Sequence, residues 1–234
     1  LIKNILFDLD GTLLRMDMDK FMQAYFAELG KELAPYGYEK DALISAVWAG
    51  TKAMAKNDGT MPNEERFWQE FERLAGGDIP RVRESCNAFY RGNFHKARKT
   101  SEPVPQAREA LKTARDKGMG VALATSPVFP RDGILARLEW AGLSPNDFDY
   151  ISTYETERYS KPDPLYYIAF TERLGWKREE CLMVGNDEKE DMYACTQAGI
   201  EGYLITDCLI PCKEHPHQGK RGTFEAFVRY LHTL

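Results

Sequence analysis

From about Ser101 onward the chain alternates short apolar runs with helical patterns, and a glycine follows each helical pattern. The runs lie at 121–124, 150–152, 181–184 and 203–205, with an earlier one at 2–7. The helical patterns lie at 106–117, 134–141, 165–174 and 192–198, closed by Gly118, Gly142, Gly175 and Gly199. Short unbroken apolar runs suit strands covered on both faces. Glycine suits a helix stop because it enters the left-handed cap conformation without a Cβ clash. Strands separated by helices need crossovers, and right-handed crossovers give a parallel sheet with helices on both sides. This half reads as a doubly wound, Rossmann-like α/β core.

Residues 16–98 lack strand-like runs and show helical spacing instead. Phe21, Tyr25 and Leu29 share one face, as do Phe67, Phe71 and Leu74, and Val82, Cys86 and Phe89. With 42–56 these make about four helices, broken at 35–37, 57–62 and 76–80. The expected organisation is a core of 1–15 and 99–234, with a smaller all-helical domain of 16–98 inserted after the first strand. The aromatic stripes are expected to form the insert's own core.

Composition removes several function classes. Lys plus Arg number 31 against 36 Asp plus Glu, a net charge of −5, with no basic stripe, so nucleic acid is not an expected partner. No apolar run approaches the roughly 18 residues a membrane span needs. No leader or anchor pattern is visible, and five scattered cysteines suggest reduced thiols, so a cytoplasmic protein is expected.

Four strand-end motifs carry the chemistry. The first strand ends in Asp8-Leu9-Asp10-Gly11-Thr12, and strand alternation puts Asp8 and Asp10 on one side of the carboxyl edge, where open α/β sheets bind ligands. Two such carboxylates repel unless a cation or a shared proton compensates, which points to metal binding or acid–base work. A polar turn in which Asp10 bonds its own backbone is the plainer alternative. The second strand ends in Thr125-Ser126-Pro127, offering a hydroxyl and backbone N–H groups that can cradle a phosphate. Lys161 stands just before a helix opened by Asp163 and Pro164. Asp187 lies at a strand tip with Asp191 one helical turn on, although acids there often serve only the helix dipole.

In this order the motifs resemble those of the haloacid dehalogenase-like hydrolase superfamily, in its phosphatase branch with a helical cap after the first strand. Asp8 to Thr12 is similar to its first motif, Thr125 to its second, Lys161 to its third, and Asp187 with Asp191 to its fourth. Ser126 and Asn186 depart from the residues common beside those positions. The resemblance implies a Mg²⁺-dependent hydrolase of small phosphate esters. Asp8 would be the nucleophile that forms an aspartyl-phosphate, and Asp10 the acid and then base. Thr125, Ser126 and Lys161 would bind the phosphoryl group. Asp8, the Asp10 carbonyl and Asp187 would hold the metal, with Asp191 as a direct or water-mediated second acid. An acid at Asp10 favours phosphoryl transfer over dehalogenation. A phosphomutase and a non-catalytic phosphate-binding module are the alternatives. Contacts to the leaving group are expected near the insert's two tethers, at 15–21 and 91–99.

Other signals carry less. Gly118 and Gly120 precede a strand, whereas a dinucleotide fingerprint follows one. Cys208, Cys212, His215 and His217 cluster in sequence but match no familiar zinc spacing.

Overall fold

The computed structural model describes residues 1–234. The chain opens with β1 (Asn4–Phe7) and β2 (Leu14–Met16), then enters four helices: α1 (Met18–Leu33), α2 (Lys40–Ala55), α3 (Asn63–Ala75) and α4 (Ile79–Arg91). It returns through 3₁₀ turns and β3 (Ser101–Pro103) to α5 (Ala107–Asp116), β4 (Gly120–Leu123), α6 (Arg131–Trp140) and β5 (Tyr150–Ile151). The remainder is α7 (Pro164–Leu174), β6 (Cys181–Gly185), α8 (Ala194–Gln197), β7 (Glu201–Ile205), β8 (Lys220–Gly222) and α9 (Phe224–Thr233).

Six strands form one parallel sheet in the order β5-β4-β1-β6-β7-β8. The α/β expectation holds. β1 is central and wholly buried, with Phe7 beside Leu123 on one flank and Val184 on the other. Strand alternation divides its side chains between the two faces. Ile5 and Phe7 join a cluster with Leu111 of α5 and Phe227 and Leu231 of α9, while Leu6 joins Tyr166 and Phe170 of α7 and Cys195 of α8. Each fully buried side chain of this size contributes roughly 1.5–3 kcal/mol of transfer free energy. The sheet is thus pinned from both sides, and its carboxyl edge is held rigid.

The segment between β2 and β3 is helical, and these two strands pair antiparallel, Arg15 opposite Glu102, so the chain leaves and re-enters the core through one short ribbon. Phe94, on the return path, stacks on Trp140 of α6 at 5.0 Å between centroids, so the helices rest directly on the core.

Three local expectations need correction. Leu74 is 48% exposed, and α3 buries Asn63, Trp68 and Phe71 instead, because the contact face of this helix is turned toward Trp68. The helix expected from 192 begins earlier, with a π-helical stretch at Glu188–Tyr193 that runs into α8. β8 and α9 have no counterpart among the expected elements, the last of which is the strand at 203–205. β8 is only Lys-Arg-Gly, with no apolar pattern to reveal it, whereas α9 buries Phe224, Phe227, Val228 and Leu231 at regular helical spacing.

Candidate active site

The carboxyl edge of the sheet gathers the strand-end motifs. Asp8 follows β1, and its N–H donates to Val184 O of β6 at 2.9 Å, which fixes the carboxylate at the sheet centre. Lys161 lies in the loop before α7, a helix capped by Asp163, whose side chain accepts from Leu165 N at 2.8 Å. Its ammonium is 1% exposed and donates to Asp8 Oδ1 at 3.0 Å and to Asp191 Oδ1 at 2.6 Å. Asp191 Oδ2 accepts the backbone N–H groups of Asn186 at 2.9 Å and Asp187 at 3.0 Å. Gly185 makes this possible, since a Cβ there would collide with the Asp191 carboxylate.

Thr125 follows β4, and its carbonyl accepts from Ser152 Oγ at 2.7 Å and Tyr166 Oη at 3.0 Å. The loop is therefore braced from behind. The backbone N–H groups of Leu9, Asp10, Thr125 and Ser126 donate to no protein acceptor, which leaves them available to an anion. Asn186 joins the motifs laterally. Its Oδ1 accepts from Thr12 Oγ1 at 3.1 Å, its Nδ2 donates to Cys208 O at 2.7 Å, and it packs where a Cβ on Gly11 would stand. Gly11 has φ of 87°, a left-handed conformation, so a side chain there is doubly excluded.

All seven predicted residues, Asp8, Asp10, Thr125, Ser126, Lys161, Asp187 and Asp191, line one cavity of about 350 Å³. Their protonation is strongly shaped by burial. Desolvation, with the Asp191 and Asp10 charges, pushes Asp8 up to about 8 against the opposing pull of Lys161. Burial also raises Asp10, opposed by Arg137 and Lys161, and raises Asp187. Burial alone would lower the Lys161 ammonium, but Asp191 and Asp8 more than reverse this and hold it above its ordinary value. The site thus concentrates acids beside one fixed cation.

The fit of a divalent cation depends on which oxygens are free. Asp8 Oδ2 makes no protein hydrogen bond, and Asp187 uses only Oδ1, which accepts the N–H groups of Lys189 at 2.7 Å and Glu190 at 2.8 Å. Both Asp191 oxygens are engaged. No group of three or more His, Cys, Asp or Glu side chains is arranged to hold an ion. Two carboxylates supplemented by backbone oxygen and water form a hard, oxygen-only set, which suits Mg²⁺ because that ion retains several waters.

Two charged residues at the site escaped the sequence reading. Arg137 of α6 is 1% exposed and ion-pairs with Asp10 Oδ2. Its Nε donates to Gly133 O at 3.2 Å, and its guanidinium lies 4.2 Å from the centroid of Phe129. The signal was available, since Arg137 shares the buried helical spacing of Ile134, Leu138 and Ala141. Glu190, beside Asp187 on the cavity wall, is pushed up to about 7 by burial and the neighbouring acids. Nothing in its sequence context set it apart from a solvated helix-end acid.

The insert contributes to the cavity differently from expectation. Met18 is the only lining residue from 15–21, and none comes from 91–99; the remainder lie along the helices, including Tyr25 and Leu33 of α1, Val47 of α2, Trp68 of α3 and Tyr90 of α4. Arg15, Met16, Asp17, Lys20 and Lys99 line instead a neighbouring cleft that also reaches Asp10 and Asn186. The aromatic stripes consequently form both the insert's packing and a cavity wall.

Residues 2–199 match the family described as haloacid dehalogenase-like hydrolase. A phosphoserine phosphatase of Thermus thermophilus is 28% identical to this chain, across 90% of it and 91% of the relative. A ribulose-1,5-bisphosphate 5-phosphatase of Halopiger xanaduensis is 27% identical, across 86% and 83%. The crystal structure of a 2-haloacid dehalogenase from Pseudomonas syringae pv. Tomato superposes with a TM-score of 0.67 at 17% identity, covering 100% of this chain and 99% of that one, and so shares the fold.

Proposed function

The chain belongs to the haloacid dehalogenase-like hydrolases, and within that family we propose that it is a Mg²⁺-dependent phosphomonoesterase acting through an aspartyl-phosphate on Asp8. The observation that carries this reading is the placement of Asp8. One of its oxygens is held by Lys161 at 3.0 Å, the other is free, and the unpaired amides of Thr125 and Ser126 line the same cavity. A carboxylate so placed can attack a phosphorus atom whose oxygens lie on those amides and on Lys161.

In the first step an Asp8 oxygen forms a bond to phosphorus as the ester P–O bond breaks. Asp10, whose raised proton affinity suits an acid, gives its proton to the departing alkoxide. In the second step the Asp10 carboxylate takes a proton from water as that water attacks phosphorus. The bond between Asp8 and phosphorus breaks, releasing phosphate and restoring the Asp8 carboxylate and the protonated Asp10. Lys161 offsets charge on Asp8 and the phosphoryl oxygens throughout. Mg²⁺, held by Asp8, Asp187 and the Asp10 carbonyl, would supply positive charge that lets an anionic nucleophile approach an anionic ester. Asp191 would act by positioning Lys161 and the turn at 185–187.

The helical residues 16–98 would form a cap over a core of 1–15 and 99–234, with the β2–β3 ribbon as its double tether. No helix is long and apolar enough to cross a membrane, and all five cysteines are unpaired, as a reducing compartment such as the cytoplasm would leave them. The direct test is phosphate release from a panel of phosphomonoesters with Mg²⁺ and with excess chelator. Release that needs the metal and disappears in Asp8→Asn supports the reading, and release that persists in chelator contradicts it.

A further inference from the structure

The cavity that holds Asp8 continues into the helical insert, and its chemistry changes on the way. Eighteen of its 29 lining residues are hydrophobic, and its only Lys or Arg is Lys161. That ammonium is already shared between Asp8 and Asp191. The remaining charged groups on the wall are acids. Arg15, Lys20 and Lys99 line a separate cleft beside Asp10, so a leaving group with its own carboxylate or second phosphate that entered this chamber would find no free cation, a cost of several kcal/mol per buried charge. A cationic leaving group finds two of the aromatic faces already taken, by guanidiniums that are themselves ion-paired with Glu64 and Asp10. Arg83 already lies 5.7 Å from the Trp68 ring centroid, and Arg137 lies 4.2 Å from that of Phe129.

We infer that the substrate is a monophosphate ester of an uncharged, largely apolar alcohol, whose hydrocarbon part occupies the chamber among Leu33, Val47, Phe71 and Tyr90. This rests on the phosphatase reading above and specifies its leaving group. The mouth agrees with the interior. Of the six large hydrophobic residues left exposed on the whole chain, Met18, Trp48 and Ile210 all stand on this cavity, at 42%, 50% and 45% exposure. The polar atoms inside are sparse and neutral. Trp68 Nε1 is buried without an acceptor. Tyr25 and Tyr90 hydroxyls bond each other at 2.9 Å, which consumes one of their two protons and leaves the other to donate. The chamber can therefore satisfy a neutral acceptor oxygen on the alcohol.

The test compares kcat/KM for benzyl, 2-phenylethyl and isoamyl phosphates with that for phosphoserine, phosphoglycolate, glucose 6-phosphate and phosphocholine, all with Mg²⁺. The apolar esters are expected to lead by about tenfold or more, the selectivity that one or two buried methylenes supply. Equal or faster turnover of any charged or sugar ester overturns the inference while leaving the phosphatase reading intact. If no ester is hydrolysed, or hydrolysis survives Asp8→Asn, that reading fails instead. A second measurement needs no catalysis: 2-phenylethanol titrated into Asp8→Asn should change the tryptophan fluorescence saturably, through Trp48 and Trp68. The absence of saturable binding contradicts the inference. Val47→Phe, which fills the chamber, should lower the ratio of kcat/KM for 2-phenylethyl over methyl phosphate by about tenfold. An unchanged ratio in the folded variant also contradicts it.

Discussion

Arg137 reaches from the buried face of α6 to the Asp10 carboxylate, and its guanidinium lies over the ring of Phe129. The pair is incompletely satisfied, since Asp10 Oδ1 and Arg137 Nη2 have no protein partner. Asp10 is therefore oriented through one oxygen, and the other is left for a transferable proton. Replacing the guanidinium with a hydrocarbon in Arg137→Met strands a buried carboxylate and is expected to cost on the order of 3 kcal/mol in urea unfolding. The double variant Arg137→Met/Asp10→Asn should recover part of that loss, because no charge is then left unpaired. Simple additivity of the two single losses would show that the pair is not coupled.

Asp10 as acid and base makes a separable prediction. Asp10→Asn should reduce kcat most for alkyl phosphates, whose alkoxides need a proton to depart, by about 10²–10⁴-fold. Aryl esters with acidic phenols should lose less in the leaving-group step. Steady-state rates on one ester of each kind decide the matter, and equal losses would mean that Asp10 holds the loop and moves no proton.

Metal binding should be proton-linked. Without a cation, burial raises Asp8 to about 8 and Glu190 to about 7, and also raises Asp187. A cation on Asp8 and Asp187 must displace any proton there, so Mg²⁺ affinity should rise between pH 6 and 8, by at most about tenfold per pH unit for each proton released. The sign for stability is opposite. A carboxyl whose folded value lies above its unfolded value of about 4 stabilises the metal-free fold below that pH and loses the contribution as pH rises through about 8. In chelator this group should therefore lower the melting temperature over that window, and Mg²⁺ should cancel the decline. Calorimetry in buffers of differing ionisation enthalpy measures the protons, and a binding constant independent of pH would contradict the linkage.

The α/β core was legible because its elements are set by local rules: apolar strands such as 181–184 and helix-ending glycines such as Gly175, with φ of 67°. The seven candidate site residues were legible because each sits at a strand end or helix start, and a parallel sheet brings all such ends to one edge. The Arg137–Asp10 pair was not, because it joins α6 to the first strand-end loop across packing that no spacing encodes. The cavity in the insert was hidden for a related reason. Residues such as Phe71 and Tyr90 show the same periodicity whether they face a neighbouring helix or an enclosed space.

The central claim is that Asp8 becomes covalently phosphorylated. Mixing enzyme, Mg²⁺ and a slowly hydrolysed phosphomonoester, quenching within a turnover and treating with borohydride should convert the acyl-phosphate residue to homoserine. Peptide mass analysis then reads which aspartate was modified. Conversion at Asp8, absent from Asp10 and absent without substrate, is the predicted result. An unmodified Asp8 during demonstrable phosphate release, or modification at Asp10, would contradict the account.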